Sequence, residues 1–97
     1  MNYVFHPAAE KEYLEAVAFY ELKRPGLGTS YVTEFEQNLL KVCSSPQRYP
    51  IVIEHDIRAI NMNRFPYTVL FREVSTTVQI LAIAHHRRHP KYWLERL

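Results

Sequence analysis

The residues with most chemical potential sit near the end of the chain. His85-His86-Arg87-Arg88-His89-Pro90-Lys91 packs three imidazoles, two guanidiniums and an ammonium into seven positions, and Tyr92 and Trp93 follow directly. Arg stays charged and can grip a carboxylate or phosphate with two bonds, so Arg87 and Arg88 are the candidate anion contacts. Imidazole titrates near neutral pH, so His85, His86 and His89 could supply a general acid/base pair. They could also ligate a metal, but no Cys or carboxylate flanks them. Consecutive His85 and His86 also point apart if a strand runs through them, and no metal or other cofactor is expected. A charge run with no such role is a solvated basic tail. No other catalytic set accompanies it: there is no Gly-rich phosphate loop, no Gly-x-Ser-x-Gly and no Cys-x-x-Cys.

The elements that position this run read as β-α-α-β-β-β. Asn2 to Phe5 is short, aromatic and β-branched, a strand signal, and Pro7 ends it where a helix can begin. From residue 8 to 23, Ala9, Tyr13, Ala16, Val17 and Tyr20 form one apolar stripe, with Glu10, Glu12 and Glu15 off it. Arg24-Pro25-Gly26 stops that helix. A second helix over residues 27–44 carries Tyr31, Phe35, Leu39 and Val42 on a wide apolar face, and the short link predicts an antiparallel helical hairpin. Strands are predicted over 57–64, 67–74 and 78–84. Tyr67, Val69 and Phe71 alternate with Thr68, Leu70 and Arg72, and Val78, Ile80 and Ala82 with Gln79, Leu81 and Ile83. Ser75-Thr76-Thr77 is short enough for a hairpin. The predicted fold is α+β: a helical hairpin on one face of an antiparallel sheet, with a short C-terminal segment opened by Pro90. Tyr13, Val17, Tyr31, Phe35 and Leu39 are expected in the core. The sheet's second face is left for binding or for some other cover.

Ninety-seven residues make one domain, residues 1–97, and 47% hydrophobic content with a net charge of only +2 excludes a disordered chain. No apolar run approaches the ~20 residues of a membrane span, and no signal peptide is visible, so a membrane partner is not expected. One cysteine, Cys43, can form no internal disulfide and falls on an apolar helix face. A cytoplasmic, reducing setting is expected. The small net charge hides an asymmetry: residues 1–45 carry a net of −2 and residues 46–97 a net of +4. The C-terminal end should therefore meet an anionic partner.

In sequence the chain resembles the RelE/ParE superfamily of toxins from type II toxin–antitoxin, or plasmid stabilisation, systems, on its ParE-like branch. The resemblance runs through Phe5-His6-Pro7-Ala8-Ala9, the Gly26-Leu27-Gly28 break, Arg64-Phe65-Pro66-Tyr67 with Val69 and Phe71, and the phrase from Ala84 to Trp93. It implies a cognate antitoxin as partner and one of two targets. ParE-like members bind and block DNA gyrase, for which Arg87, Arg88 and Trp93 are the implied target-binding residues. RelE-like members cut messenger RNA on the ribosome without a metal, for which His85, His86, Arg87, Arg88 and Tyr92 would be the catalytic set. RelE-like nucleases carry an Arg where this chain has Thr68, a neutral residue with no phosphate-clamping power. That difference favours the gyrase-binding reading over an enzyme. A non-toxic homologue that only binds antitoxin is the remaining alternative.

Overall fold

The computed structural model describes residues 1–97. It runs β1 (Asn2–Phe5), α1 (Pro7–Lys23), α2 (Leu27–Ser44), a 3-10 turn (Pro46–Arg48), β2 (Ile51–Ile53), β3 (Ile57–Asn61), β4 (Tyr67–Val74), β5 (Thr77–His85) and a C-terminal 3-10 turn (Tyr92–Arg96). The strands form one five-stranded sheet in the order β1-β5-β4-β3-β2.

His6 makes the first corner. Its extended backbone carries a side chain whose Nδ1 accepts from the Ala8 N–H at 3.1 Å, capping α1 just before Pro7. At the hairpin bend Gly26 adopts φ 90°, a conformation that favours glycine. Gly28 lets the two helices meet closely, since a Cβ there would lie 2.8 Å from the Val17 carbonyl oxygen. The hairpin packs on one face of the sheet through Ala9, Ala16, Tyr20, Tyr31, Phe35 and Leu39 against Val69, Ile80 and Ile83. Tyr31, Phe35 and Leu39 are buried as expected, whereas Tyr13 and Val17 are only half-buried at the hairpin's margin.

Besides adding a short edge strand, β2, to the four expected, the structure departs from the expected sheet in three places. First, the sheet is mixed: β2 to β5 are antiparallel, but β1 lies parallel to β5, with Phe5 opposite Ile80. β1 docks on the free edge of the meander's last strand, and the two helices between them carry the chain back so that the two strands run the same way. Second, β3 stops at Asn61, short of the expected residue 64. Buried Glu34 on α2 accepts hydrogen bonds from the N–H groups of Asn63 (2.5 Å) and Arg64 (3.2 Å), which fixes residues 62–66 as a loop. Third, Leu70 pairs with Ala82 and Phe71 with Ile80, so Leu81 bulges out of the β5 ladder. Beyond the bulge the alternation is reset: Leu81 and Ala82 both turn to the second face, and Ile83 returns to the helices.

That second face is not open. Trp93, 5% exposed, folds back onto Ile57, Leu70, Leu81 and Ala82, so the C-terminal turn covers that part of the sheet.

Candidate functional site

The basic run leaves the sheet at the end of β5. His85 is the strand's last residue, and its Nδ1 accepts from the Arg87 N–H at 3.0 Å. The tight turn carries the chain back so that Tyr92 and Trp93 return to the second face. Between that segment, β4 and the tip of β2 lies a cleft of about 380 Å³. Its floor is Leu70 and Trp93, and its rim carries His85, His86, Arg88, His89 and Lys91. Thr68, Tyr92 and Ala84 also line it. The cleft thus gathers every sequence-derived site residue except Arg87, which is exposed and does not line it.

The imidazoles are held differently. His85 lies edge-on to the Tyr67 ring, with centroids 5.0 Å apart. His86 is exposed, with Nε2 3.0 Å from the Thr68 hydroxyl oxygen. The Thr68 hydroxyl donates to Asn61 Oδ1 at 2.6 Å, so its oxygen is left to accept from the His86 Nε2–H. Thr68 therefore holds an imidazole at the mouth of the cleft.

Behind the cleft lies an ionic cluster centred on Glu12, which sequence reading had placed off the buried stripe. Its carboxylate pairs with Arg96 as a two-pronged fork, Nη1 to Oε1 at 2.9 Å and Nη2 to Oε2 at 2.8 Å. Tyr92 donates its hydroxyl to Oε2 at 2.5 Å. The guanidinium of Arg88 stacks over the Tyr92 ring, 3.8 Å from its centroid, and reaches to 3.9 Å from Glu12 Oε2. Burial alone would push the Glu12 carboxyl up. The hydrogen bonds from Arg96, Tyr92 and the Ile83 N–H outweigh it and hold the group below its ordinary value. Burial, then the bond to the Glu12 carboxylate, pushes the Tyr92 phenol well above its ordinary range, so it stays protonated. The bond to Glu12 likewise raises Arg96.

The same pair mends the sheet. β1 reaches only as far as Ile80, where the His6 N–H meets the Ile80 carbonyl at 2.8 Å. Past that point the bulge leaves the Leu81 carbonyl and the Ile83 N–H directed at an edge with no strand. Arg96 Nη1 donates to the Leu81 carbonyl (2.9 Å), and Glu12 Oε1 accepts from the Ile83 N–H (3.0 Å). Sequence reading missed both residues. A signal for Glu12 existed, because it lies three residues after Ala9 and four before Ala16, two small residues that face the core.

The fold itself, a helical hairpin on a five-stranded sheet, is one that known toxins also have. Two solved structures share it. One, described as the chromosomal ParDE toxin–antitoxin system from P. aeruginosa, aligns with a TM-score of 0.74 at 17% identity, covering 88% of this chain and 95% of that one. The other is the isolated E. coli RelE toxin, with a TM-score of 0.68 at 16% identity over 97% of this chain and 93% of that one. A search of curated proteins finds no match. The family profile of the ParE toxin of the type II toxin–antitoxin system parDE matches residues 3–90, and the chain belongs to that family.

Proposed function

We propose that this protein is a cytoplasmic toxin that binds and inhibits DNA gyrase through its basic C-terminal end and is neutralised by a cognate antitoxin. Tyr92 carries the choice of target. In RelE-like nucleases a C-terminal aromatic helps at the reacting phosphate, but here the Tyr92 hydroxyl is spent on Glu12 and its proton is held tightly. Thr68 adds a neutral side chain where a phosphate clamp would be needed. Arg87, Arg88 and Lys91 remain as contacts for an acidic surface, with Trp93 supporting them from below.

For the antitoxin, the fitting surface is the outer edge of β1. β1 is the outermost strand, its outer side has no partner, and exposed Tyr3, Val4 and Leu40 flank it along a groove of about 610 Å³. An extended antitoxin segment can add a strand there and seat alternate apolar side chains in the groove.

A second reading, ribosome-dependent cleavage of messenger RNA, is favoured by one observation: three imidazoles and two cations share one cleft. The test is direct. Purified protein should inhibit supercoiling by gyrase and leave ribosome-bound message intact. Cleaved message with unaffected supercoiling would reverse the assignment in favour of His85 and His86.

A further inference from the structure

We infer that Glu12 is a positioning residue for the basic cluster: from beneath, it holds Arg88 and the C-terminal turn in the arrangement that a target meets. The inference rests on the target-binding reading for its functional arm only.

Glu12 is itself out of a target's reach, its side chain 12% exposed against 55% for Arg88. Its two oxygens nevertheless fix each part of the C-terminal turn. Arg96 is forked onto both oxygens, and the Tyr92 hydroxyl is bound to one of them. With the ring so fixed, the Arg88 guanidinium has a flat cation-binding face below it and a carboxylate oxygen beside it. A guanidinium on an exposed turn otherwise samples many rotamers, and ordering it on binding weakens affinity. Glu12 removes that loss before the target arrives. Arg96 lies beyond residues 3–90, the span that the family profile matches, so the fork is not part of the matched pattern.

The free protein supplies the first arm. Stacking over Tyr92 should shift the Arg88 side-chain protons upfield in the NMR spectrum, and Trp93, the single tryptophan, reports on the turn by its quenching. In Glu12→Gln the upfield shift should collapse and acrylamide quenching of Trp93 should rise, with β4 and β5 amide signals retained. Arg96→Lys, which keeps the charge but loses the fork, should do the same more weakly and serves if Glu12→Gln does not fold. Unchanged Arg88 shifts in both variants would overturn the inference. In the second arm, Glu12→Gln should weaken gyrase inhibition about 10-fold in the wild-type background, the fold-change expected from losing one charge-assisted contact. In an Arg88→Ala background it should cost less than about twofold, because residues acting through one another are not additive. Equal losses in both backgrounds would show a merely structural Glu12. If the wild-type protein leaves supercoiling untouched, the gyrase reading fails, and the Arg88 shifts alone decide this inference.

Discussion

Replacing Arg87 and Arg88 together with Ala should separate binding from folding, because the structure gives these side chains little to do for stability. Arg87 engages His85 through its backbone N–H, which the substitution keeps. Arg88 has one long ion pair, 3.9 Å to Glu12, and one cation–π contact on a half-exposed ring. An exposed pair contributes about 0–1 kcal/mol and an exposed cation–π contact about 0.5–1 kcal/mol. The double variant should therefore lose about 0.5–2 kcal/mol out of the roughly 5–15 kcal/mol typical of a domain. For a domain of this size that lowers Tm by about 2–16 °C. Against a target, two guanidiniums gripping carboxylate or phosphate contribute about 1.5–3 kcal/mol each, so the loss should exceed roughly 100-fold. The measurements are a thermal melt and a supercoiling titration on the same preparations. A folded double variant that inhibits gyrase at the wild-type concentration would remove the contact from this end of the molecule. A variant that no longer melts cooperatively would refute the stability reasoning instead.

Three further outcomes follow from the same geometry. Glu34→Ala should destabilise the protein by about 2–3 kcal/mol in a urea titration, since the Asn63 and Arg64 N–H groups lose their carboxylate acceptor. Acid should loosen the C-terminal turn through Glu12, which faces Arg88, Arg96, Tyr92, His85 and Glu15. A carboxyl held below its ordinary 4.5 contributes fully above that pH and loses its contribution as pH falls through the lowered folded value, so the part of the Trp93 emission change that Glu12→Gln abolishes should lie below pH 4.5. Val4→Lys with Leu40→Asp should weaken antitoxin binding at least 10-fold in a calorimetric titration while leaving gyrase inhibition by the free toxin unchanged.

What the sequence disclosed and what it hid divide along physical lines. Helical spacing of large apolar residues located both helices, because burial on one face imposes that period over many turns. The alternation of β4 was readable for the same reason. β2 was not readable: its three residues lie at an exposed edge, and the turn after it depends on left-handed His55 and Asp56, which carry no glycine signal. The bulge at Leu81 has no signature at all, since Leu81, Ala82 and Ile83 are equally apolar whichever way they face. The basic cluster could be read as a list of residues, but not as a cleft. Assembling it required the fold-back of Trp93, and its order required Glu12 and Arg96, 84 positions apart in the chain. Ion pairs across that separation leave no periodicity.

The two edges of β5 and β1 show how the fold distinguishes its own needs from those of a partner. A bare strand edge invites pairing with other chains, and proteins that must stay monomeric cover it. Where β5 outruns β1, this chain covers the gap with charged side chains that satisfy one carbonyl and one amide and bind each other as they do so. A foreign strand gains nothing there, because it would have to displace an Arg–Glu fork to make two hydrogen bonds. The outer edge of β1 receives no such treatment. It carries exposed apolar side chains beside another exposed apolar residue on α2, an arrangement that costs solubility unless something occupies it. The plugged gap also anchors the cationic turn, and the open edge lies on the same side of the sheet, since β1 is the neighbour of β5 and Phe5 pairs with Ile80 while β5 runs on to His85. A segment added to β1 that continued past Phe5 would therefore run toward the basic turn that follows His85. Under the proposed function, neutralisation would need only that such a segment pass the Arg96–Glu12 fork, or that its bulk keep the target away.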